Sequence, residues 1–303
     1  MRGRPPPLQP VEVEIEIHTE DGAALRANAL PPAPGRAPLG TCVLAHAMFA
    51  RRTEFTRPEG QSLADLLQDL GFGVVAFDFR GHGDSSGKGR QWTYDDLVKR
   101  DLRAVIECAR AREPGRLVVI GHSLGGHAAL AAQGLGLLSA DAIVCAAANV
   151  WMRELEPSAL RWAAKRAVSA VVDGVVAHLG RVPARRLGLG SDDEASDYMR
   201  AIVAPARTGR WASLAGEDYL EAVGRVTVPV AQITSDGDRL NCHPGSGEAF
   251  ARRAGGPVHL ERLRASGGAP APDHMQIVTR AGRDPSVRAA WERTLAWVVE
   301  RTG

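Results

Sequence analysis

No run of about eighteen apolar residues occurs in the chain, so the sequence offers no transmembrane helix. Neither sign of charge dominates. The 37 Lys and Arg against 35 Asp and Glu leave a formal +2, with no long Lys/Arg run. Nothing in that balance points to nucleic acid or an anionic membrane as a partner. Cysteine is scarce and scattered: Cys42, Cys108, Cys145 and Cys242 form no CxxC pair, which argues against a zinc site and a disulfide framework. Cys42 and Cys145 sit in apolar runs and read as small core residues. The opening MRGRPPPLQP is basic and proline-rich but lacks the apolar h-region of a secretory signal, so the expected location is the cytoplasm. HExxH and similar metal motifs are missing, and no metal is expected. No internal repeat is present.

What remains is an ordinary soluble composition, 45% hydrophobic and 24% charged, over 303 residues. Residues 1–10 read as a disordered tail. VEVEIEIH at 11–18 alternates apolar and acidic residues, the mark of a half-exposed strand. Asp21-Gly22 is a turn signal, and residues 24–30 can return as the second strand of a hairpin. Short apolar strands then alternate with helices. Strands are expected at 41–47, 73–79, 117–122 and 141–148, with helices at 60–70, at 94–112 and from Ser123 onward. That alternation predicts an α/β fold, a mostly parallel sheet with helices on both faces.

The rhythm breaks between about 150 and 224, where no convincing strand occurs. Residues 158–179 predict a helix with Leu160, Ala164, Ala167, Val168, Val171, Val172, Val175, Val176 and Leu179 on one stripe. Arg161, Lys165, Ser169 and Asp173 lie on the other side. The apolar stripe is expected to pack inward. A strand within 226–235, a helix at 246–254 and a strand at 257–263 resume the pattern. Asp284-Pro285 then opens a terminal helix. The division is thus 11–149 and 225–303 as two parts of one α/β core, interrupted by a helical insertion at 150–224.

The chemistry concentrates at GHSLGG, residues 121–126. It fits G-x-S-x-G between an apolar strand and a helix, the context of a strained elbow that lifts a serine hydroxyl above the sheet. Gly121, Gly125 and Gly126 supply the room such an elbow needs. The following amide, Leu124, can face a developing oxyanion. The competing reading is a serine that merely caps the helix. A nucleophilic serine needs a base and an orienting acid. AQITSDGDRL ends a strand in a turn carrying Asp236 and Asp238. APDHMQIV places His274 in a loop after the last strand. Serine, acid and histidine follow in that order at the carboxyl ends of strands, where open α/β sheets build sites.

The chain resembles the α/β-hydrolase superfamily, in its serine-aminopeptidase-like and monoglyceride-lipase-like branch. GHSLGG, FDFRGHGDSSG at 77–87, LAHAM at 44–48 and WTYDDLVKRDLRAVIE at 92–107 carry the resemblance. It extends over nearly the whole chain, except the tail and the insertion. It implies that the insertion is a cap over the site, that Asp238 is the triad acid with Asp236 as runner-up, and that a second oxyanion amide lies near His46. There the usual His-Gly is His46-Ala47, so Met48 is the first choice for that amide and Ala47 the next.

Other residues have plainer readings. His46 and His82 shape loops beneath the site; Asp78 and Arg80 form a local charge pair. His122 points away from Ser123, because neighbouring side chains at a strand end face opposite ways. His127 packs along its helix, and His243 starts one. Arg51 and Arg52 read as surface arginines, with a substrate carboxylate as the sharper alternative. Trp151, Met152, Trp162 and Trp211 are candidates to line an apolar pocket. The expectation is a serine hydrolase acting on a small to medium apolar carboxylic ester without a cofactor. The alternatives are an acyltransferase using the same triad and a non-catalytic small-molecule binder. No oligomeric state follows from the sequence.

Overall fold

A computed structural model describes residues 12–303; the tail expected over 1–10 lies outside the described residues. Strands β1 (Val13–His18) and β2 (Ala24–Leu30) form the antiparallel hairpin expected around Asp21-Gly22. Strands β3 (Gly40–Ala45), β4 (Phe72–Phe77), β5 (Leu117–His122) and β6 (Ala142–Ala146) follow. Two short strands, β7 (Arg181–Val182) and β8 (Glu194–Ala195), come next, and then β9 (Val230–Ser235) and β10 (Val258–Leu263). The main sheet has eight strands in the order β1-β2-β4-β3-β5-β6-β9-β10. It is antiparallel through β1, β2 and β4 and parallel from β4 to β10.

The central strands are apolar on both faces because helices cover both. Val43, Val119 and Ile143 join one core, with Leu102 and Val105 of one helix and Leu124, Ala128 and Ala131 of another. Cys42, Leu44, Val118 and Ile120 join the other, with Leu66 and Leu67 of the helix Leu63–Leu70 and Trp291 and Leu295 of the helix Pro285–Arg301. The helix ends carry their own signals. Ser62 and Asp65 form a capping box, and Gly71 closes that helix in the left-handed conformation. Asp284 accepts from the amides of Ser286 and Val287, with Pro285 at the first helical position.

Two local expectations differ. The helix expected over 94–112 contains a π-helical turn at Leu97–Asp101, which buries Asp101 against Arg80. Arg80 pairs with Asp101 and Asp21, whereas Asp78 pairs with Arg52. The strand ends at Phe77, so Asp78 and Arg80 part into different partners.

The excursion between β6 and β9 carries the helices Ala159–Leu179, Ser196–Thr208 and Tyr219–Gly224. It also holds a two-stranded ribbon, β7 with β8, where no strand was expected. The first helix is turned over relative to expectation. Lys165, Ser169 and Val176 are its buried residues, while Leu160 is 83% and Val171 66% exposed. Ion pairs set that orientation: Arg161 and Lys165 reach Glu156, and Asp173 reaches Arg207 of the next long helix. No helix of the described residues is long and apolar enough to cross a membrane.

Candidate active site

β5 is wholly buried, and the chain turns from it into the helix Leu124–Gly134 at Ser123. Ser123 has φ 49° and ψ −107°, a conformation that costs a non-glycine residue about 1–3 kcal/mol. Neighbouring glycines permit the turn. A Cβ on Gly125 would lie 2.0 Å from the Ala45 carbonyl oxygen, and one on Gly121 would lie 2.2 Å from the Gly126 nitrogen. The Ser123 amide donates to the Ala146 carbonyl at 2.8 Å, which pins the elbow to β6. Its side chain makes no capping hydrogen bond to the helix it opens, so the capping explanation does not apply. The Leu124 amide, at the first helical position, has no partner among the described residues.

Asp238 and His274 come together. His274 Nδ1 lies 2.5 Å from Asp238 Oδ2, and Asp238 is 3% exposed. Burial would raise the Asp238 pKa, but the bond to His274, its charge and the amides of Cys242 and Asn241 outweigh that and hold it below the ordinary value. Asp236 instead pairs with Arg262 at the surface, 2.7 Å away. The His274 ring lies 5.1 Å from that of His122, the residue before Ser123, tilted at 37° to it, and stays partly open to solvent.

The loop after β3 faces the elbow, because β3 and β5 are paired neighbours on either side of the sheet's switch point. Its amides are divided. Ala47 N donates to Glu54 Oε1 at 2.9 Å and Phe49 N to Glu194 Oε1 at 3.0 Å. The Met48 amide between them has no partner among the described residues. Phe49 itself sits at φ 66°.

The remaining histidines are fixed by their surroundings. His46 is buried, with a pKa pushed down to about 3 by desolvation and by the His82 charge. It accepts from Phe79 N at Nε2 and donates to the Ala47 carbonyl at Nδ1. Both nitrogens of buried His82 face acceptors, the Arg80 carbonyl and Glu194, each 3.1 Å away. Desolvation opposes its protonation, but Glu194 outweighs it and the pKa is raised. Buried His122 meets Glu54 Oε2 at 3.0 Å and the His274 carbonyl oxygen at 3.1 Å. His127 bonds the Tyr94 hydroxyl and is pushed down to about 3 by burial. His243 caps the helix Pro244–Ala251.

The apolar lining candidates separate. Trp211, 3% exposed, packs among Tyr94, His127, Tyr219 and Phe250, and Met152 is buried in the same core. Both fasten the excursion to the core and offer little surface to a ligand. Trp151 and Trp162 are half-buried; Trp151 Nε1 donates to the Asn241 carbonyl, in the turn that carries Asp238. Arg51 and Arg52 are not free surface cations. Arg51 forms a two-pronged pair with Asp192 at 2.6 and 2.9 Å, and Arg52 is spent on Asp78.

Glu54, Asp192 and Glu194 are the residues the sequence did not single out. SDDE at 191–194 looks like a solvated acidic turn, yet Asp192 and Glu194 are 4% and 1% exposed. Only their partners, far away in sequence, distinguish them.

The fold recurs in known structures. The chain is similar to the Pyrococcus furiosus esterase Pf2001 at 19% identity and TM-score 0.62, covering 99% of this chain and 95% of that one. It is similar to an esterase from Exiguobacterium antarcticum at 18% identity and TM-score 0.62, covering 95% and 100%. It is also similar to Est1E from Butyrivibrio proteoclasticus, solved with ferulic acid bound, at 17% identity and TM-score 0.61, covering 95% and 98%. No curated protein sequence matches it. The family model described as serine aminopeptidase, S33, matches residues 38–263, and the chain belongs to that family of α/β-hydrolase enzymes.

Proposed function

We propose that this member of the serine aminopeptidase S33 family hydrolyses carboxylic esters of small to medium apolar molecules through an acyl-enzyme on Ser123. The observation that carries the reading is a strained serine, free of any capping bond, at an elbow whose neighbour His122 lies against the Asp238–His274 pair. Ser123 Oγ attacks the ester carbonyl carbon as its proton passes to His274 Nε2. Asp238 holds the imidazole by Nδ1 and stabilises the imidazolium. The carbonyl oxygen becomes an oxyanion facing the amides of Leu124 and Met48, each such donor being worth about 3 kcal/mol. The imidazolium gives its proton to the leaving alkoxide, and the C–O bond breaks. Water, deprotonated by His274, then releases the acid. No cofactor enters either step.

The insertion over 150–224 acts as a cap, with Trp151 and Trp162 as its apolar contribution to the substrate site. The esterase and ferulate-bound relatives support an ester substrate over an amide. Fluorophosphonate labelling of wild type and Ser123→Ala tests the nucleophile: equal labelling of both sinks it. An acyltransferase would form the same acyl-enzyme, and product analysis with an added alcohol or amine acceptor separates it from a hydrolase. A silent binder would show neither label nor turnover.

A further inference from the structure

We propose that Glu54 and His122 form a positioning dyad that holds the oxyanion loop, the nucleophile elbow and the base loop in one register, and does so only while His122 carries a proton on both ring nitrogens. The proposal rests on the hydrolase reading above. Neither residue belongs to the triad. Both side chains are buried, His122 at 0% and Glu54 at 5% exposure.

The contacts run through all three parts of the site. Glu54 Oε1 accepts from Ala47 N at 2.9 Å, next to the free Met48 amide. Glu54 Oε2 faces His122 Nδ1 at 3.0 Å, and His122 is the residue before Ser123. His122 Nε2 faces the backbone carbonyl oxygen of His274 at 3.1 Å. A carboxylate and a carbonyl can only accept, so both contacts are hydrogen bonds only when both nitrogens donate, which requires the imidazolium. One buried ring thus joins the chain after β3, the end of β5 and the loop after β10. Glu54 is in turn held by its short helix, Thr53–Thr56, whose Phe55 is fully buried.

The charge around the ring is consistent with that state. The groups facing it are Glu54 from its helix, the His274 ring at 5.1 Å and Asp238 from the turn after β9. On one flank its register partner is Ala146, and on the other the register runs past Ala45–Gly121 to His46, a buried imidazole that burial holds uncharged, with a pKa pushed down to about 3. Desolvation alone would strip the proton, but Glu54 first, then the His274 carbonyl and Asp238, raise the pKa above the ordinary 6.5. When the ring loses a proton, the remaining one stays on Nδ1 against the carboxylate. The Nε2 lone pair then confronts the His274 carbonyl, and the base loop is released. A raised pKa places full function below it and loss as pH climbs through it. The rate therefore has an alkaline limb set by His122.

Glu54→Gln tests this with little disturbance. The glutamine carbonyl still accepts from Ala47 N, and its amide donates to Nδ1. Neutral His122 then keeps its one proton on Nε2, toward His274, at every pH. With a soluble p-nitrophenyl ester, Glu54→Gln should lose the alkaline limb, with kcat at neutral pH within about tenfold of wild type. Retention of the wild-type alkaline limb in Glu54→Gln overturns the dyad. So does a wild-type rate still level at about pH 10, where other groups begin to titrate. Hydrogen–deuterium exchange gives a readout that needs no turnover. His122→Asn should speed exchange about tenfold or more at residues 47–50 and 273–276 together. Unchanged exchange in both segments refutes the dyad even if wild type hydrolyses no ester. The hydrolase reading fails separately, by absence of fluorophosphonate label on wild-type Ser123.

Discussion

Lys165 of the long helix in the proposed cap and Glu156 just before it meet at 2.9 Å, with each side chain about 1% exposed. Glu156 Oε2 also accepts from Ser246 on the core helix Pro244–Ala251, so the pair bolts the excursion to the sheet domain. Removing Lys165 leaves Glu156 buried with Arg161, at 3.0 Å, as its remaining cation, so the cost stays below the roughly 3–5 kcal/mol of a buried charge left with no partner. Lys165→Met should lower stability by about 2 kcal/mol in urea unfolding, and a loss under about 0.5 kcal/mol would show that the bolt does not bear on the fold. The pH dependence has a definite sign. Burial raises the Glu156 pKa, but Lys165, the Ser158 amide and Ser246 outweigh it and hold it at about 2, against an ordinary 4.5. The pair therefore contributes fully above about 4.5 and fades as pH falls from there through about 2.

Gly125 faces the backbone of β3, and an added Cβ would stand 2.0 Å from the Ala45 carbonyl oxygen. A backbone atom in a central strand cannot step aside as a flexible side chain can. Gly125→Ala should destabilise by more than about 2 kcal/mol and cut turnover more than the stability loss explains. Normal thermal unfolding together with normal kcat would mean that the elbow has slack the geometry does not show.

The sheet was legible because strands buried on both faces read as apolar runs, and the order of strand ends placed Ser123, Asp238 and His274 at one edge. The long helix of the excursion departs from its apolar periodicity for a physical reason. Periodicity sorts apolar from polar residues but assumes that the polar side meets water. Here Arg161 and Lys165 find Glu156, so the charged side turns inward and Leu160, Val168 and Val171 are left outside. Arg51, Asp192 and Glu194 were opaque for the same reason, since a buried ion pair is two surface-like residues until the fold joins them. Met48 as an oxyanion amide follows from the resemblance alone. Its isolation between two occupied amides depends on Glu54 and Glu194, neither of which stands in any motif.

Asp238 and Asp236 stand two residues apart, and the structure gives them different partners. Asp238→Asn should keep the fold yet lower kcat by about 10⁴-fold, because His274 loses the group that fixes its tautomer. Asp236→Asn should leave kcat within about twofold, since its exposed pair with Arg262 is worth at most about 1 kcal/mol. Steady-state kinetics on both variants decides the acid, and the reverse pattern would move the role to Asp236.

Glu194 couples the proposed cap to the loop after β3, whose Met48 amide is the proposed oxyanion donor. Its Oε1 takes the Phe49 amide at 3.0 Å and His82 Nε2 at 3.1 Å, so one carboxylate from β8 fixes the residue after Met48. Glu194→Ala should lower kcat about 10- to 100-fold with little change in KM, because a displaced oxyanion donor is felt in the transition state and not in ground-state binding. The same variant should change the pH dependence of stability. The His82 pKa is raised in the folded protein, so its contribution is full below the ordinary 6.5 and lost as pH rises through the raised value. In Glu194→Ala that alkaline loss should disappear from unfolding curves measured between about pH 6 and 9. A variant that raises KM and leaves kcat alone would instead make Glu194 part of the substrate's binding surface.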